Sequence, residues 1–416
     1  MEEREEKSEK SKKSKKMLSR YLKAVIVVTA LIVLGLVPAL LSHSFCDWYA
    51  LNVYGKVCDV ITFITEPFPF AVGEIVMFIG AFMAVASVVI LILLLFLRKK
   101  AAYRKFAVLH FKTFSLGLLI VVFLYVPTWF IPFNGTVLKQ GNPELRTSFT
   151  YEELYDLLCY IVNGGNAAAE EIAIAEDGSV DFRTEEENRE LIAKAMQELG
   201  NEFVCLKGHY PPVKAAICSD ILDRMNIGGY NYPFTMEPTH NRYINPLYLL
   251  TLEAHEYCHH KGYYLENEAN FLSVLALSRS EDPYLRLSAF WEMYGYILFD
   301  YIDARDQKMD ALVASGAVTL PEKLETKEDI EQLKAIYLEH FGPEPEFDER
   351  VYRINDAAAE IEWAIYDADS HVIDEMPAVD ELISDTATEG WRIQGEILQE
   401  KSYDGVTLLL LQYFYK

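Results

Sequence analysis

Cysteine is scarce in this chain. Six cysteines in 416 residues, none in a C-x-x-C pair, exclude both a disulfide-knit scaffold and a thiolate zinc site. Cys46 and Cys58 are close enough in sequence to pair if their loop faces an oxidising space, and that option stays open. No small-x-small cleavage site follows the first apolar run, so a removed signal peptide does not explain it. "HSFC" before Cys46 also lacks the small residues of a lipoprotein box. No internal repeat is visible. Positive charge is missing from the C-terminal two-thirds: residues 131–416 hold 22 Lys/Arg against 53 Asp/Glu. A balance of −31 argues against nucleic acid as a partner.

Apolar length, by contrast, is plentiful. Hydrophobic residues make up 51 % of the chain while 24 % are charged, which indicates a membrane portion joined to a water-soluble one. Three runs reach the roughly 20 residues that a spanning helix needs, at about 24–41, 75–97 and 113–133. Lys and Arg number eight in residues 1–20 and five in 98–105, against Lys56 alone in 44–70. Basic flanks stay in the cytoplasm. The expectation is therefore a cytoplasmic tail (1–20), three transmembrane helices within 21–133, and an extracytoplasmic domain over 134–416. The Glu/Lys-rich tail is expected to be disordered.

The soluble portion reads as a series of helices. Thr150 with Glu153, and Thr184 with Glu187, form capping boxes. "GGYNYPFT" (228–235) is the best strand candidate, and Pro233 assigns it to a sheet edge. Asn245-Pro246 starts a helix that Gly262 stops, and its apolar residues lie on several faces, so burial is expected. Helices over about 265–279 and 284–303 follow. The terminal "SYDGVTLLLLQYFYK" is too short to span and reads as a packed element.

The chemistry concentrates in "LEAHEYCHHKGYYLENEANF" (252–271). His255, Glu256 and His259 match H-E-x-x-H. On a helix this spacing sets two imidazoles on one face, one turn apart, as two ligands of a single tetrahedral zinc require. Glu256 is then placed to act as general base toward a water that the zinc acidifies. Two lone histidines on a helix are the plainer alternative, but unpaired imidazoles inside a buried helix would be costly. Zinc needs a third protein ligand. The metzincin pattern would put a histidine at position 265, which is Leu265. Glu266 and Glu268 both remain, and an ion-pair partner for Arg279 is the other reading of Glu268.

His255-Glu256-x-x-His259 followed by Glu266-x-x-Ala269-Asn270 resembles the gluzincin plan, HExxH then ExxxD. The resemblance implies that Glu266 is the third zinc ligand and that position 270 orients a ligand histidine. This chain departs from it by carrying Asn270 where an aspartate is usual. The three spans, "YNYPFTMEPTHN", "HEYCHHKGYYLENEANF" and "SYDGVTLLLLQYF", in that order, resemble a bacterial family of membrane proteins known as domain of unknown function 3810, classed as zincin-like. It implies an α-helical three-span anchor carrying a helix-rich α+β zincin-like domain.

The expected activity is that of a membrane-anchored zinc metallopeptidase, with the lipid bilayer and a peptide or protein substrate as partners. A non-catalytic membrane sensor or assembly factor that keeps the zinc fold is the rival, and an intact Glu256 counts against it. Glu237 has two readings, a residue bordering the cleft or a solvated turn residue. His240, His260 and Cys258 read as structural, and the aromatic run near Trp291 as core. Tyr263, Tyr294 and Tyr296 are candidate donors to a tetrahedral oxyanion.

Overall fold

A computed structural model of the chain describes residues 2–141, 144–321, 326–369 and 404–415. Parts of the expected 134–416 domain, chiefly 370–403, lie outside the described residues. Three helices are long and apolar enough to cross a membrane, over Arg20–Leu41, Val72–Leu97 and Ala101–Phe133. The first lies within α1 (Glu2–Leu41). The expected disorder of the tail is thus corrected, because helix continues through residues 2–20. Glu and Lys are good helix formers, and the tail has a preformed helix to extend.

The loop between the first two spans is helical as well. It comprises α2 (His43–Tyr49), a π-turn (Ala50–Tyr54) and α3 (Gly55–Thr65). Cys46 and Cys58 are both buried and free, so the disulfide option fails. Their sulfurs point to different backbone carbonyls, those of Ala39 and His260. The second span is α4 (Val72–Leu97). The third is α5 (Ala101–Tyr125), a second π-turn (Val126–Phe130) and α6 (Ile131–Phe133). In the bundle α5 packs against both α1 and α4.

The remaining chain builds a main core and a small satellite cluster of Met309, Val318 and Phe341. Its helices are α7 (Tyr151–Glu171), α8 (Glu185–Leu199), α9 (Ser219–Arg224), α10 (Tyr248–His260), α11 (Glu266–Ser278), α12 (Pro283–Ala314), α13 (Lys327–Phe341), α14 (Glu349–Ala368) and α15 (Asp404–Phe414). Both expected capping boxes are present, each Thr hydroxyl accepting the N–H three residues on. Helix α12 runs along α7, and Leu158, Ile161, Leu272, Leu275, Leu285 and Met293 are fully enclosed between these helices and α11. Each such side chain contributes about 1.5–3 kcal/mol by leaving water. Helix α12 extends eleven residues past the expected end at 303, and the terminal segment is the packed helix α15 against α11 and α12.

A three-stranded sheet, ordered β1-β3-β2, lies against α10. It consists of β1 (Lys214–Ala215), β2 (Gly229–Tyr232) and β3 (Glu237–His240). As expected, β2 is an edge strand that ends before Pro233. Strand β3 pairs antiparallel with β2, Tyr232 opposite Glu237, and parallel with β1. Glu237 is neither cleft residue nor solvated turn. It is 2 % exposed, takes a 2.6 Å hydrogen bond from Lys214, and accepts the N–H groups of Val72 and Gly73. Those are orphan donors at the positive end of the second span. Sequence gave no warning, since a buried ion pair has no local pattern.

Candidate metal centre

Every residue of α10 except Tyr248 and His255 is buried. Asn245 caps it as expected, its Oδ1 accepting from Leu247 and Tyr248 N–H. At the other end Gly262 adopts φ +90°, a left-handed turn that glycine enters without steric cost. Tyr263 N–H then returns to the Cys258 carbonyl, which closes the helix and starts the short path to α11. That path brings Glu266, the first residue of α11, over the exposed edge of the His255–His259 pair.

The three side chains converge. One Glu266 oxygen lies 3.2 Å from His255 Nε2, and the other 3.7 Å from His259 Nε2. One ligand atom from each residue falls within 4.8 Å of the others. Four ligands at about 2.0–2.1 Å around a tetrahedral zinc stand roughly 3.3–3.4 Å apart, so the carboxylate–imidazole spacings match that geometry. Ring orientation matches too. His259 Nδ1 donates to the Tyr263 carbonyl at 2.8 Å, and His255 Nδ1 lies 2.7 Å from Asn270 Oδ1. A carbonyl only accepts, so each Nδ1 carries a proton and Nε2 is the nitrogen left to face Glu266 and a metal. Asn270 thus fixes the His255 ring through an amide oxygen.

The charges are strongly coupled. Burial and the neighbouring His255 push His259 down to about 4. Burial also opposes protonation of His255, but Glu266 outweighs it and raises that imidazole to about 9. The two imidazoles hold Glu266 below the usual carboxylate range against the effect of burial. Its side chain stays 44 % exposed, which leaves an approach open from solvent.

Glu256 turns toward β2 while staying within electrostatic reach of His255 and Glu266. It is 2 % exposed, its Oε2 has no hydrogen-bond partner, and burial raises its carboxyl to about 8. A β-carbon at Gly229 would lie 2.6 Å from Glu256 Oε1, so only glycine lets the strand approach this closely. Asn231, two residues along β2, is buried with both amide atoms lacking a hydrogen-bond partner. Orphaned polar atoms of this kind are uncommon in a folded interior. Here they lie on the strand that packs against Glu256.

Other expectations resolve plainly. Glu268 is fully buried away from the histidines and accepts the Leu138 N–H. The Glu268 alternative for the third ligand therefore fails, because a helix turns residue 268 well off the line of residue 266. Arg279 pairs with Glu202 instead of Glu268. His260 donates to the Met236 carbonyl, and His240 Nδ1 to that of Asn241. Cys258 is fully buried in the core, and Trp291 stacks on Phe347.

Of the three tyrosines, Tyr263 is buried and Tyr294 packs on Phe347. Tyr296 bonds Glu292, whose carboxyl burial raises to about 7 while His255 pulls it down. Sequence reasoning missed Tyr230, which lies within electrostatic reach of Glu256. It also missed Tyr264, whose ring stacks 5.9 Å from His259 at an interplanar angle of 7°. Position in the edge strand was the only available signal for Tyr230 and Asn231.

Residues 49–354 match the family model described as Protein of unknown function (DUF3810). The chain belongs to this family. The DUF3810 match takes in the last two spans, the sheet and the whole candidate centre. Comparison with curated proteins and with solved structures gives no match.

Proposed function

We propose that this DUF3810 protein is a membrane-anchored zinc metallopeptidase with a zincin-like domain over residues 134–416. The observation that carries the reading is Glu256: a buried carboxylate with a free oxygen, next to two histidines and a glutamate at zinc-ligand spacing. His255, His259 and Glu266 would hold the ion. When bound, zinc supplies Lewis acidity, acidifying a water and polarising the scissile carbonyl. Glu256 takes the proton from the attacking water and passes it to the leaving amine. The outer edge of β2, unpaired among the described residues, would align an extended peptide by backbone pairing.

The domain packs on the end of the bundle opposite the basic loop 98–105. With positive flanks held in the cytoplasm, we place the catalytic portion outside it. Glu256→Gln tests the activity. The variant should keep zinc and lose peptide hydrolysis. A cellular phenotype unchanged by this substitution, with zinc retained, would favour the non-catalytic sensor, and unchanged hydrolysis would remove Glu256 from the role of base.

A further inference from the structure

We infer that the centre acts on polypeptides held at the bilayer, cutting a membrane-anchored substrate within a few residues of its anchor. This rests on the peptidase reading and names its substrate class.

Three independent tethers bring the site to the membrane end of the domain. The first is Tyr264. Its ring stacks on the candidate ligand His259, its hydroxyl donates at 2.7 Å to the carbonyl of Thr128 in the third span, and Trp129 lies 6.0 Å away. One side chain therefore separates the centre from a spanning helix. The second is the sheet. Strand β3, paired to the strand that faces Glu256, caps the start of the second span through Glu237.

The third tether is α3. Its inner side holds the end of α10, where Tyr54, at the last turn before α3, donates to the His260 carbonyl at 3.0 Å, and Cys58 is directed at the same oxygen. Its outer side is mainly apolar, with Lys56 an exposed charge one turn before Val60, and is uncovered among the described residues: Val60 is 64 % exposed, Phe63 82 % and Ile64 63 %. These positions follow i, i+3, i+4 spacing and form one stripe. Phe68 and Phe70 continue the exposed apolar surface up to the second span. Spans lie on both sides of α3 in the chain, the second only six residues beyond its end. What covers the stripe is therefore the lipid bilayer, with α3 lying in the interface.

The distance follows from the helix itself. An α-helix with its side chains is about 10–12 Å across, so the His259–His260 backbone stands about that far from the apolar boundary. An extended chain covers about 3.3–3.6 Å per residue, which places the scissile bond roughly three to four residues from a membrane anchor. A soluble peptide would meet the same site without the gain in effective concentration that anchoring provides.

The test uses the full-length protein with Zn²⁺ in phosphatidylcholine–phosphatidylglycerol liposomes. It is given one random-sequence peptide library in palmitoylated and in unacylated form. Mass spectrometry maps cuts that occur with the wild type and not with Glu256→Gln. Cuts should be roughly tenfold or more enriched in the acylated library and clustered near the acyl end. Equal cutting of both libraries would overturn the membrane inference and leave the peptidase standing. No Glu256-dependent cut in either library would overturn the peptidase reading, and the inference with it. A second readout does not need catalysis. Phe63→Trp should add emission that dibrominated lipids quench, and unquenched emission at that position would remove α3, and the site behind it, from the bilayer surface.

Discussion

Asn270→Ala isolates the support beneath one proposed ligand. The substitution removes the acceptor 2.7 Å from His255 Nδ1 and leaves the three ligating side chains in the sequence. Without it the ring rotates freely, and the proton is no longer confined to the nitrogen facing away from the metal. Losing such an outer partner typically lowers metal affinity about 10–100-fold, or about 1.4–2.7 kcal/mol. The loss should fall within that range, because His259 keeps its own partner, the Tyr263 carbonyl, which no side-chain substitution at position 270 touches. Asn270→Asp should recover the wild-type affinity or exceed it, since a carboxylate accepts the same N–H and adds charge. Competition of purified protein in detergent against a chromogenic zinc chelator measures both variants. Wild-type affinity in Asn270→Ala, beside a lost site in His255→Ala, would refute the assigned role of the amide.

Two further outcomes follow from the junction with the membrane and from orientation. Lys214→Ala strips the cation from a pair whose side chains are 6 % and 3 % exposed. Breaking such a pair costs about 3–5 kcal/mol, and the lower end applies because Glu237 keeps two backbone donors. Denaturation in detergent should show this loss, and a change below about 1 kcal/mol would contradict a tight junction. A reporter fused after Lys416 should behave as extracytoplasmic. A cytoplasmic signal would reverse the charge-based orientation.

Features written in local pattern were legible in the sequence: the three spans, the capping boxes, the Asn245 and Gly262 ends of α10, and the edge placement of β2. His255 and His259 were legible for the same reason, through helical spacing, while the choice of Glu266 over Glu268 came from the gluzincin resemblance and was left open by spacing alone. Features made by distant segments were not. Glu237 reads equally as a residue bordering the cleft or a solvated turn residue until β3 is seen to meet the second span, 164 residues away in sequence from Gly73. Tyr264 gains its meaning only from Thr128, and Asn231 only from the closeness of Gly229 to Glu256. The free Cys46 and Cys58 show the opposite error, in which nearness in the chain suggested a contact that two separate helices prevent.

The central claim is a zinc ion held by His255, His259 and Glu266. Elemental analysis of the purified full-length protein beside His259→Ala tests it most directly. One zinc per chain in the wild type, absent from a folded variant, is the expected result. A wild type without zinc, or a variant that keeps it in full, would contradict the account.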